Sequence, residues 1–154
     1  MLRAITVLAV GLFLPFSLFA ADAPANSVKA VLTQQVESWN RGDLDGFLST
    51  YWKSDDLVFF SGGTVSKGHK AVSDRYQKRY KAEGKEMGKL TFSDLDVQML
   101  GTDAAMVRGK WKLELKAENP EGLYTLIVKK LPEGWKIVHD HTSAAEPPKK
   151  DEKK

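Results

Sequence analysis

There is no cysteine in the 154 residues. Disulfides are excluded, and so is a lipid-modified amino-terminal cysteine, so the chain must hold together by its core alone. Histidine is scarce, at three residues, and two of these stand one position apart as His139 and His141. Charge of one sign is not in excess, with 23 basic against 20 acidic side chains. No internal repeat and no nucleic-acid-binding module is present. Long apolar runs are missing as well. The longest, Ala4 to Phe19, falls short of the about 20 residues that a membrane span needs, and no stop-transfer segment follows it.

That run is nonetheless informative. Arg3 precedes it and Ala20, Ala21 and Ala23 follow, which is the order of a secretory signal peptide cleaved after Ala20. An uncleaved anchor is the alternative, and the shortness of the run counts against it. The expected location is periplasmic or secreted. Without the leader, 22 basic and 20 acidic residues remain, on a mature chain of roughly 130 residues that can bury about two-thirds of its unfolded surface. The far end, residues 146–154, is a glutamate and Pro-Pro followed by alternating charge. It cannot bury apolar area and is expected to be a disordered tail.

Between these ends, residues 26–145 predict one α+β domain. Val28, Val31, Leu32, Gln35, Val36 and Trp39 recur at helical spacing, with Ser27 placed to cap the helix and Gly42 to stop it. Asp43 caps a short second helix striped by Leu44, Phe47, Leu48 and Tyr51. Leu57 to Phe60 is a short strand, turned by Ser61-Gly62-Gly63 into a second extended piece. A third helix is predicted over 70–81, with Val72, Tyr76 and Tyr80 on one face. Four strands follow as a meander. The first, over 90–100, slips phase near Asp94-Leu95, where a bulge would restore it. In the next, Val107, Gly109, Trp111, Leu113 and Leu115 alternate with Arg108, Lys110, Lys112, Glu114 and Lys116. One face is therefore buried and the other wet, as in an antiparallel sheet covered on one side. Turns at Asn119 to Gly122 and at Pro132-Glu133-Gly134 lead to the closing strand.

Three segments resemble the nuclear transport factor 2-like superfamily, also called SnoaL-like or ketosteroid-isomerase-like. They are Trp39-Asn40-Arg41-Gly42-Asp43-Leu44-Asp45, Ser66-Lys67-Gly68-His69, and Trp135-Lys136-Ile137-Val138-His139-Asp140-His141-Thr142-Ser143. The last is similar to the end of the association domain of calcium/calmodulin-dependent protein kinase II, although this chain has Thr142 where that domain carries an arginine. The resemblance implies a cone-shaped, curled antiparallel sheet packed against three amino-terminal helices, with a pocket between them. It also implies a homodimer formed through the sheet and a small apolar, polyketide- or steroid-like ligand. No cofactor is expected. Trp39, Tyr51, Tyr76, Tyr80, Phe59, Trp111 and Tyr124 are the large residues that would line such a pocket. Plain core packing is the alternative for each.

The phase of the closing strand decides which of its residues face the pocket. Comparison with the family puts Val138, Asp140 and Thr142 inside and the histidines outside. Side-chain size favours the reverse, because Trp135 and Ile137 are larger than Lys136 and Val138, and a bulge would present both sets. The first phase is preferred here. Desolvation would then raise the pKa of Asp140 toward the range of a general base, as in ketosteroid isomerase. Hydrogen bonding to neighbouring strand-end groups, without chemistry, is the alternative. His139 and His141 are candidate ligand contacts. As a metal chelate they would need a third ligand, and His69 has the place of a surface or capping residue, so no metal is expected. Arg75 and Arg79 can hold an acidic ligand, but a solvated helix face is the preferred reading. Two functions follow. One is a binding or assembly module. The other is a cofactor-free isomerase or lyase using Asp140 with Tyr76 or Tyr80. An open cavity onto which Asp140 and a tyrosine hydroxyl converge would favour the second, and a filled core the first.

Overall fold

The computed structural model describes residues 22–146. The expected leader and nearly all of the charged tail lie outside the described residues. Helix α1, Asp22–Asn40, begins five residues before Ser27. Pro24 is accommodated because the first-turn N–H groups have no intrahelical partner in any case. Ser27 is therefore inside the helix and does not cap it. The other end forms as expected. Gly42 takes φ +74°, its N–H bonds to the Trp39 carbonyl, and the Asp43 N–H reaches back to Ser38 O. This paired closure of a helix end suits a glycine, which adopts positive φ without strain. The Asp43 side chain then accepts from Gly46 N at 2.8 Å and starts α2, Leu44–Leu48.

Strands β1, Val58–Ser61, and β2, Thr64–Lys67, form a hairpin with Ser61 opposite Thr64. The two linking glycines both have positive φ, as a tight turn of this twist requires. Helix α3, His69–Gln77, continues into a π-helical turn, Lys78–Ala82, so the predicted third helix is divided near its end. The meander follows as β3, Lys89–Met99, β4, Ala104–Glu114, β5, Glu121–Leu131, and β6, Gly134–Thr142. All six strands make one curled, unclosed sheet in the order β2-β1-β6-β5-β4-β3. Every pairing is antiparallel except β1 with β6.

Two bulges shape this sheet. In β3 the register shifts between Ser93 and Asp96, where Asp94 has φ +51°. That is the phase slip anticipated from the sequence. In β6, Ile127 pairs with His139 but Val128 pairs with Ile137, so Val138 is skipped. The concave face carries Ala105, Val107, Leu113, Leu126, Val128 and Ile137, all buried against α1, α2 and Leu57. On the convex face Arg108 pairs with Asp96 at 2.6 Å and Lys110 with Asp94 at 2.8 Å. The predicted alternation of β4 is thus observed. The end of α1 is tied to the edge strand β3, with the Asn40 amide donating to Leu90 O at 3.0 Å and accepting from Leu90 N at 2.7 Å.

Candidate functional site

The curl of the sheet and the helices over it leave a cavity of about 420 Å³. Several elements send large side chains into it. Trp39 comes from the last turn of α1, Tyr51 from the chain after α2 and Phe59 from β1. Tyr76 and Tyr80 come from α3 and its π turn, Trp111 from β4 and Tyr124 from β5. All seven aromatics expected at a pocket therefore line this one. The rings of Trp39, Tyr51, Phe59, Tyr76 and Tyr80 form one contacting group. Trp39 meets Tyr80 edge-on at 4.9 Å and Phe47 at 5.0 Å, while Tyr76 and Tyr80 stack at 6.0 Å. Both indole N–H groups in the wall are fixed. The Trp39 indole donates to Met87 O and that of Trp111 to Ser143 O, both at 2.9 Å.

Asp140 is the acidic centre. It lies across from Phe59 on β1 and Leu126 on β5 and is only 4% exposed. Tyr51 Oη donates to one carboxylate oxygen at 2.8 Å and Thr142 Oγ1 to the other at 2.7 Å. Burial pushes its pKa up to about 6, against the opposing pull of those two hydroxyls and of His141 and Arg75. The phenols move the same way. Burial, with the Asp140 charge second, raises Tyr51 and Tyr76 well above the usual value and Tyr124 to about 12. At neutral pH the cavity thus presents a carboxylate with a pKa suited to a general base, surrounded by neutral hydroxyl donors. Each carboxylate oxygen keeps acceptor capacity beyond the bond it already receives. The Asp140 carboxylate and a tyrosine hydroxyl do converge on an open cavity. The tyrosine that bonds Asp140 is Tyr51, where Tyr76 or Tyr80 was expected.

The family model described as "SnoaL-like domain" matches residues 28–147. The chain belongs to the SnoaL-like domain family. An NTF-2 like protein of unknown function from Shewanella oneidensis MR-1 is 36% identical, with a TM-score of 0.73, over 78% of this chain and 98% of that one. A domain of unknown function with a cystatin-like fold from Nostoc punctiforme is 23% identical at TM-score 0.68, over 84% and 82% of the two chains. A nuclear transport factor 2-like superfamily protein from Salmonella enterica is 17% identical at TM-score 0.69, over 86% and 99%. The last two show the shared fold. No curated protein matches the sequence.

In this SnoaL-like domain the bulge at Val138 resolves the phase of the closing strand. Skipping one residue lets Ile137 face the core, fully buried, while Asp140 and Thr142 face the cavity. Size and family comparison were each right for one half of the strand, and Val138, expected inside, is not among the cavity residues. His139 and His141 are not brought to the cavity either. They flank Phe60 on the other face, with ring centroids at 5.2 and 5.7 Å, so the expected ligand contact is corrected to a contact with β1. Desolvation and the neighbouring His141 lower the pKa of His139. His69 reaches Leu48 O at 3.3 Å and ties α3 to α2. Among the described residues no three His, Cys, Asp or Glu side chains cluster to hold a metal. Arg75, expected to be solvated, lines the cavity with Nη1 buried. Gln35, buried and also lining it, was not singled out. A lone amide within the apolar stripe of α1 was its signal.

Proposed function

We propose that this domain is an exported binding protein whose cavity takes a small, largely apolar organic molecule of polyketide or steroid type. The cavity itself carries the reading. Its volume lies within the range of about 300–1,000 Å³ usual for small-molecule sites, and an aromatic wall surrounds a few polar groups. An open space where a filled core would stand counts against a purely structural module. The four tryptophans supply the test, because Trp39 and Trp111 line the cavity while Trp52 and Trp135 do not. With a mixture of small phenols and aromatic ketones, the indole N–H resonances of Trp39 and Trp111 should shift and the other two should stay. Four unmoved resonances at millimolar ligand would overturn the reading.

Asp140 favours a second reading, a cofactor-free isomerase or lyase in which its carboxylate removes a proton from carbon. The neutral hydroxyls nearby would steady the oxygen that gains charge. Such a site exchanges an acidic C–H of its ligand with deuterated solvent. Exchange lost in Asp140→Asn supports this reading, and no exchange with any bound ketone defeats it. Export rests on Arg3, the apolar run and the alanines after it. Intact mass of the native protein should show residues 1 to about 20 removed. Pairing of two copies through the convex sheet face completes the proposal, and sedimentation at a single monomer mass would exclude it. Among the described residues no helix is long and apolar enough to cross a membrane.

A further inference from the structure

Among the described residues, two buried side-chain polar atoms are left without a partner, Arg75 Nη1 and Tyr124 Oη. Both residues line the cavity. Groups of this kind are rare in folded proteins, since desolvation without a hydrogen bond costs free energy, and more so for a charged group. The place of each is built. The Arg75 guanidinium lies over the Phe59 ring at 5.3 Å, and stacking on a ring occupies its flat face and leaves its N–H groups directed sideways. Among the described residues Arg75 forms no ion pair. Asp140 does not satisfy it either, since among the described residues no hydrogen bond or ion pair joins the two. Tyr124 is 4% exposed, and its hydroxyl sits above Gly109, where even a Cβ would come within 2.5 Å of it. The absence of a side chain at Gly109 makes the room for it. Phe59 and Tyr124 stand two strands apart, on either side of β6, so the two free donors flank Asp140.

We infer that the ligand is a monocarboxylate with an apolar body, its carboxylate held by Arg75 and a neutral oxygen further along accepting from Tyr124. The inference rests on the cavity being a small-molecule site and names the class of molecule. A carboxylate answers what Arg75 lacks, since it accepts charge-assisted bonds from guanidinium N–H groups. A neutral carbonyl or hydroxyl oxygen answers Tyr124, whose phenol keeps its proton at neutral pH. The aromatic wall covers the rest.

The test compares 2-naphthoate with its neutral isostere 2-naphthamide by titration calorimetry on the mature protein. Wild type should bind the carboxylate at least tenfold more tightly than the amide. Arg75→Gln should abolish that preference while changing amide affinity less than threefold, and Arg75→Lys, which keeps the charge, should retain part of it. Tyr124→Phe should keep the preference for the acid. Melting temperature serves as the control for folding, and should Arg75→Gln fail to fold, the comparison of wild type with Arg75→Lys still decides. Equal affinity of acid and amide for wild type would overturn the carboxylate assignment and leave the small-molecule reading intact. Binding of neither at millimolar concentration would overturn both. A preference that survives in Arg75→Gln would mean that another cation reads the charge, and the assignment to Arg75 would fall.

Discussion

Replacing Asp140 by Asn should make this domain more stable at neutral pH, although it removes a buried group with two hydrogen bonds. The carboxyl titrates at about 6 in the folded state against 3.8 when free. The folded protein therefore holds this proton more tightly than the unfolded chain. Stability from this group is fully present below about pH 4 and is lost as the pH rises through 6. The difference corresponds to about 3 kcal/mol against folding at pH 7.5. Asn imitates the protonated acid, offering one acceptor and one donor side to the Tyr51 and Thr142 hydroxyls, either of which can turn to accept. Wild type and Asp140→Asn should thus agree within about 1 kcal/mol at pH 4 and diverge to about 3 kcal/mol in favour of the variant at pH 7.5. Urea denaturation of both proteins at each pH measures this, and comparing them pH by pH cancels the other titrating groups. A variant less stable than wild type at pH 7.5, or a difference that does not change with pH, would refute the reasoning. It would mean that the hydroxyls and Arg75 outweigh desolvation and that the carboxylate titrates normally.

Ile137→Ala should cost about 2–5 kcal/mol in chemical denaturation, because the side chain is fully buried beside the bulge. Lys112→Ala, on the convex face, should stay within about 0.5 kcal/mol, and equal losses for the two would reverse the faces. Trp111→Ala should fall below the about 3–5 kcal/mol of an enclosed ring, since this one is half-buried in the cavity wall. Gly109→Ala brings a Cβ to 2.5 Å from Tyr124 Oη and should destabilise by about 1–3 kcal/mol. Tyr124→Phe should relieve only part of that loss, because ring Cζ would still lie 2.7 Å from the new Cβ, and full relief would mean that the hydroxyl alone makes the clash. By NMR, His139 should titrate below 6.5, as its desolvation and the neighbouring His141 require. Its contribution to stability is then present above that value and is lost as the pH falls. Phe60→Ala, which opens its surroundings, should bring the midpoint back up, and a wild-type midpoint at or above 6.5 contradicts the account.

Local chemistry was legible in the sequence wherever it alone decided the outcome. The close of α1 at Gly42, the cap at Asp43, the bulge near Asp94 and the two faces of β4 each follow from a few neighbouring residues. Their conformational limits hold whatever packs around them. The start of α1 was not legible in this way, because a serine within a helix and a serine capping one differ only in what precedes them. The aromatic lining could be named from the sequence, since seven large rings on the inward faces of several elements have one place to go. What each polar group would meet there was decided by the tertiary structure. The parallel pairing of β1 with β6 brings Phe59 to Asp140 from 81 positions away and Phe60 to the histidines. The bulge at Val138 arises where Thr50 and Trp52 bond to Ile137 before β1 takes over the same edge, and it sets the phase that neither size nor resemblance could settle. The buried orphans, Arg75 Nη1 and Tyr124 Oη, were invisible for the same reason. Whether a polar atom finds a partner depends on every element around it, and no local pattern in the chain records that sum.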